Sequence, residues 1–234
     1  MKKRLILWDI DGTLVHSGPV GGDVFDFAIE RVLGTRPTSR TEFGGKTDRQ
    51  IAQEYLTLGG SDDPDHVSLV LLHLERELAR HEDRMTAYGS ACPGGEAVIR
   101  ALAMIETVEQ TVLTGNIAPN ALAKLSAFGL NRFLDLEAGA YGDQHSDRRD
   151  LLPLAWHRQR DLRGRDYLPE ETWVVGDTPR DLECAQASGA HCLLVATGRH
   201  DLARLTELSA DFVIEDLSDT ERVVSILTTG LPMS

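Results

Sequence analysis

The run LILWDIDGT, residues 5–13, closes an apolar stretch on two carboxylates, Asp9 and Asp11, with Gly12 and Thr13 directly behind them. Side chains two apart in an extended chain point to the same face, so Asp9 and Asp11 come side by side. Two adjacent carboxylates repel unless a cation joins them. Mg²⁺ suits that task, because it takes carboxylate, carbonyl and water oxygens in octahedral array. A second run, TVLTGN, ends on Thr114, Gly115 and Asn116, and a third, WVVGDTPRD, brings Asp177 with Asp181 four residues on. The expected metal set is Asp9, Asp11 and Asp177, with Asp181 as a supporting partner near the start of a helix.

The chemistry this set suits is phosphoryl transfer to a carboxylate. Asp9 attacks phosphorus, water hydrolyses the aspartyl-phosphate, and Asp11 protonates the leaving oxygen and then deprotonates the water. The oxygens in transit need fixed donors, expected from the Thr114 hydroxyl, from Gly115 and Asn116 ahead of a helix, from Gly12 and Thr13, and from one protein cation. Arg148 is the first choice for that cation and Arg149 the alternate, since both begin a helix and Arg grips phosphate in bidentate fashion. Lys46 and Arg49, behind two glycines, are expected as anion contacts for the substrate.

Such residues must be held at strand ends, and the apolar periodicity supplies the strands. Runs at 4–8, 110–114, 133–138, 172–176, 191–196 and 211–214 read as strands, with helical patterns at 95–106, 119–128, 149–160, 179–188, 200–208 and 218–227 between them. Strand and helix in alternation predict an α/β fold, a doubly wound parallel sheet whose ligands lie beyond the carboxyl ends of the strands. Residues 17–85 break the rhythm with helical patterns at 23–33, 48–58 and 66–84. The expected organisation is a Rossmann-like core of residues 1–16 and 86–234 with a helical cap of 17–85, bordered by the turn formers HSGPVGG and YGSACPGG.

Composition narrows the partners. The 234 residues carry 24 basic and 37 acidic side chains, a net charge of -13 without a basic cluster, which argues against nucleic acid. The densest basic run, 146–165, is interleaved with acids and reads as a solvated helix face. Three cysteines, Cys92, Cys184 and Cys192, show no disulfide or zinc spacing. No stretch approaches a membrane span, and a cytoplasmic protein acting on a small phosphorylated metabolite is expected.

These motifs resemble those of the haloacid dehalogenase superfamily, in its phosphoglycolate phosphatase and β-phosphoglucomutase-like branch with a helical cap. LILWDIDGT is similar to the family's first motif, TVLTGN to the second and WVVGDTPRD to the fourth. The third usually offers a Lys, where this chain offers Arg148 or Arg149 in GDQHSDRRDLL. The resemblance implies a Mg²⁺-dependent phosphatase with a cap that closes over its substrate. An acid two residues after the nucleophile, here Asp11, implies phosphatase or phosphomutase rather than dehalogenase. A phosphomutase and a non-catalytic phosphate-binding regulator are the alternative expectations.

Overall fold

The computed structural model of the chain describes residues 2–231. Its main sheet contains β1 (Arg4–Trp8), β4 (Val108–Val112), β5 (Thr172–Gly176), β6 (His191–Val195) and β7 (Phe212–Ile214), in the order β4-β1-β5-β6-β7 with every pairing parallel. β1 is buried along its whole length because both of its faces are covered. Its alternation assigns the layers. Ile6 and Trp8 pack with Val98 and Leu102 of α5 (Gly95–Leu102) and Val223 and Ile226 of α10 (Thr220–Thr229). Leu5 and Leu7 point the other way, onto Leu151 and Leu152 of α7 (Leu151–Arg163) and Leu182 of α8 (Pro179–Ser188). The remaining core helices are α6 (Ala118–Ala127) and the short α9 (Leu202–Thr206). The expected doubly wound architecture is therefore present.

One expected strand is absent. Residues 133–138 fold as short 3₁₀ turns, Asn131–Phe133 and Leu136–Ala138, and only Ala140 forms an isolated parallel bridge, to Leu113. The apolar run is buried all the same. The Asp135 amide donates to the Gln110 carbonyl and the Thr111 hydroxyl to the Asp135 carbonyl, which ties the loop to the edge of β4 without a ladder.

Between β1 and the rest of the core lie α1 (Val20–Leu33), α2 (Asp48–Leu58), α3 (Pro64–Leu78) and α4 (Glu82–Tyr88), which enclose an apolar cluster including Phe25, Ile29, Tyr55 and Leu74. The pattern at 66–84 resolves into two helices with a 3₁₀ turn at Ala79–His81 between them. The chain enters and leaves this layer through a two-residue antiparallel pair, β2 (Val15–His16) with β3 (Ser90–Ala91). Gly18 makes that joint possible: its φ is +61°, and a Cβ there would lie 2.7 Å from the Tyr88 carbonyl oxygen.

The start of α2 is fastened to the core. Thr47 caps the helix by accepting from the Gln50 amide and donates its hydroxyl to the Ser146 carbonyl at 2.9 Å. The Asp48 amide donates to the Gly115 carbonyl at 2.7 Å. Arg180 donates to the Gly44 carbonyl at 2.7 Å, holding the loop before α2 against α8.

Candidate active site

β1, β4 and β5 end at one edge of the sheet, and the residues just beyond them border a cavity of about 1020 Å³ that the helical layer covers. Asp9, on β1's exit, is pinned by its own amide to the Val175 carbonyl at 2.9 Å. One carboxylate oxygen from each of Asp9, Asp177 and Asp181 falls within 4.8 Å of the others, all three residues being buried. Gly12 permits this packing: its φ is +87°, and a Cβ there would stand 2.5 Å from the Asp177 carboxylate. Thr13, expected near the phosphate, instead donates its hydroxyl to Asp177 Oδ1 at 3.2 Å and orients that acid.

Asp181 has both carboxylate oxygens engaged by neighbouring groups. One of its oxygens accepts from the Thr178 amide and hydroxyl, and the other accepts from Arg148 at 2.6 Å. That leaves Asp9 and Asp177 as the carboxylates with oxygens to offer a cation. Burial raises the pKa of both, and the mutual repulsion of the acids adds to it, against the opposing pull of Arg148. Hard oxygen donors crowded in this way, with their charges only partly balanced, fit a divalent cation. Asp11 departs from the expectation that its carboxylate joins the cluster. Its carboxylate is held by Lys124 and Asn116 and stands outside the group formed by Asp9, Asp177 and Asp181.

Of the two arginines, Arg148 occupies the site. Its guanidinium is 4% exposed and lies 3.0 Å from Asp9 Oδ1, while its buried Nε has no partner among the described residues. Arg149, one residue on, is exposed and pairs with Asp147.

The Asp11 carboxylate is held by Lys124, whose ammonium lies 2.8 and 2.6 Å from its two oxygens, by the Asn116 carboxamide at 2.7 Å and by the Ser17 hydroxyl at 3.3 Å. Burial pushes the Asp11 pKa up, but the Lys124 charge and these hydrogen bonds outweigh it and hold the group below its usual value. Asn116 also donates to the Thr114 hydroxyl at 2.8 Å and accepts from Lys124 at 2.7 Å. Thr114 is fully buried at the cavity wall, with Gly115 beside it.

A HAD-hydrolase-like family model matches residues 152–220. Phosphoglycolate phosphatase from Rhodospirillum rubrum is 27% identical over 223 residues, covering 88% of this chain and 86% of that one. The phosphoglycolate phosphatase of Mesorhizobium japonicum is 26% identical, with 86% of each chain covered. Among solved structures, CbbY from Rhodobacter sphaeroides in complex with phosphate superposes with a TM-score of 0.67 at 17% identity, covering 93% of this chain and 96% of that one. The chain is thus similar over most of its length to phosphoglycolate phosphatases, and over residues 152–220 to HAD-like hydrolases.

Two expected substrate contacts are otherwise engaged. Lys46 borders the cavity, but its ammonium is neutralised by Glu54 at 2.5 Å. Arg49 donates to the Asp143 carbonyl at 2.9 Å and does not border the cavity. Sequence reasoning passed over Lys124, Asn120 and Asp48, all buried at the cavity wall. The signal for two of them was present: Asn116, Asn120 and Lys124 recur every four residues, the spacing of one helix face. Asp48 accepts from the Ile117 amide at 2.9 Å, and burial raises its pKa to about 7 although Lys124 pulls it down. Among the described residues no helix is long and apolar enough to cross a membrane.

Proposed function

We propose that the protein is a Mg²⁺-dependent phosphatase of small phosphomonoesters that works through an aspartyl-phosphate on Asp9. The observation that carries this reading is the Asp9 carboxylate itself, buried beside Asp177 and fixed through one oxygen by Arg148. Asp9 and Asp177, with the main-chain oxygen of Asp11, would hold the metal, which supplies charge to offset the phosphoryl oxygens.

The free oxygen of Asp9 is the nucleophile. Arg148 keeps it aligned and offers the unpartnered Nε–H to the transferring group, and Thr114 with the neighbouring Gly115 supplies the rest of the cradle. Asp11 and Lys124 share an exchangeable proton across their ion pair. The leaving oxygen takes it as the ester bond breaks, and the attacking water returns one to the pair in the second half-reaction. The helical layer over the cavity favours a small substrate, and the relatives named above bring phosphoglycolate-like esters to the panel beside sugar phosphates.

The test is a panel of small phosphate esters assayed with Mg²⁺ and after chelation, together with Asp9→Asn. Turnover that requires Mg²⁺ and falls at least 10⁴-fold in the variant, as order-of-magnitude precedent for a lost nucleophile suggests, is the expected outcome. Metal-independent turnover, or an active Asp9→Asn enzyme, defeats the mechanism.

A further inference from the structure

Asn116, Asn120 and Lys124 stack at four-residue intervals along one face of α6 and the turn leading into it, each about nineteen-twentieths buried and each bordering the cavity. Two of the three are spent on Asp11 and on each other. Asn120 is not. Its carboxamide makes no hydrogen bond among the described residues, and its Oδ1 is fully shielded from solvent. A buried amide without a partner is costly, so its presence at the wall of a binding cavity points to a ligand.

The position of Asn120 indicates which part of the ligand. Its helical neighbours on either side both grip Asp11, the acid that addresses the leaving oxygen, whereas the phosphoryl-binding groups Asp9, Arg148 and Asp177 form the other cluster. Asn120 therefore belongs to the leaving-group side. Lys124, the cation of this helix face, is consumed by Asp11, and the carboxyl of Asp48 also borders the cavity, so the groups nearest Asn120 along the chain offer no free positive charge. An amide offers an acceptor and a donor whichever way it is turned, and a hydroxyl satisfies both.

We propose that Asn120 forms a leaving-group subsite that reads a hydroxyl on the alcohol portion of the substrate, so that polyol and sugar phosphates are favoured over esters lacking one. This rests on the phosphatase reading above.

The test compares glycerol 3-phosphate with propyl phosphate, equal in carbon number and charge but differing in hydroxyls. The wild-type enzyme is expected to favour the hydroxylated ester in kcat/KM by roughly three- to tenfold, the range of one neutral hydrogen bond. Asn120→Leu and Asn120→Ala are each expected to bring that ratio close to one. A wild-type ratio of one overturns the proposal without recourse to any variant, and so does a preference that survives in either folded variant. Hydrolysis of both esters without preference removes the subsite alone, while no turnover of any phosphomonoester removes the phosphatase reading and the subsite with it.

Discussion

Asp9 and Asp11 stand two residues apart on one strand exit, yet the fold gives them opposite surroundings. Asp9 shares its space with Asp177 and Asp181, and burial with that crowding holds its pKa high although Arg148 opposes it. Asp11 faces Lys124, Asn116 and Ser17, which overcome burial and hold it low. The difference separates two roles that identical side chains could not otherwise divide. Under the proposed mechanism the crowded carboxylate would gain most from a metal and would attack, whereas the neutralised carboxylate would exchange a proton. Each acid has its own cation, so each cation is the means of testing its half of the site.

Arg148 is the larger test. Removing its guanidinium leaves Asp9 and Asp181 buried with no basic partner, a change that for buried pairs costs about 3–5 kcal/mol. Arg148→Met is expected to lose that stability in thermal or urea unfolding and roughly 10³-fold in kcat with its anchor on the phosphoryl group gone. Arg149→Met, which removes only an exposed pair with Asp147, is expected to change either by little. Equal losses in the two variants would dissolve the distinction between the crowded acid and its partner.

That pair of neighbours also shows where the sequence was legible. Apolar runs closed by acids marked the ends of β1 and β5, and one closed by Thr114 and Gly115 marked the end of β4, but the two-residue period did not carry beyond β1, where the Asp9 and Asp11 carboxylates part. The choice between Arg148 and Arg149 had no such rule. They sit in a 3₁₀ turn ahead of α7, Arg148–Asp150, where successive side chains diverge widely around the axis, so one enters the site and the other meets solvent. Lys46 illustrates a different limit. Two glycines before a Lys suggest an anion loop, but Glu54, eight residues on, folds back to neutralise it, and only the packing of α2 brings the two together. The run 133–138 had the apolar content of a strand and became turns because its backbone groups bond to β4 one at a time.

Lys124 tests the other half. Its loss leaves Asp11 with Asn116 and Ser17 but no counter-charge. If the ion pair supplies the proton taken by the leaving oxygen, Lys124→Met loses on the order of 10²-fold on alkyl phosphates, the lower range of general acid catalysis. p-Nitrophenyl phosphate, whose leaving group is a stable anion, is expected to lose much less. The readout is the ratio of the two losses, which a folding defect would not move. Identical losses on both esters would show that Lys124 serves the architecture rather than the proton.

Asp48 offers the finest adjustment, because it approaches the Asp11 half from the helical layer. Its carboxyl titrates at about 7 in the fold against 3.8 in an open chain, so between those values the folded protein keeps a proton that the unfolded chain has released. Stability from this group is complete below the lower value and is lost as pH climbs through the upper one. The full shift corresponds to roughly 4 kcal/mol, and the readjustment of a loosened α2 start is expected to reduce the observed change to about half of that. Asp48→Asn keeps an oxygen for the Ile117 amide and has nothing to ionise. Its unfolding free energy relative to wild type is therefore expected to rise between pH 5 and pH 8, the mutant curve being the flatter. Parallel curves would mean that Asp48 is already ionised beside Lys124, and the low-pKa surroundings of Asp11 would then extend across the cavity wall to the start of α2.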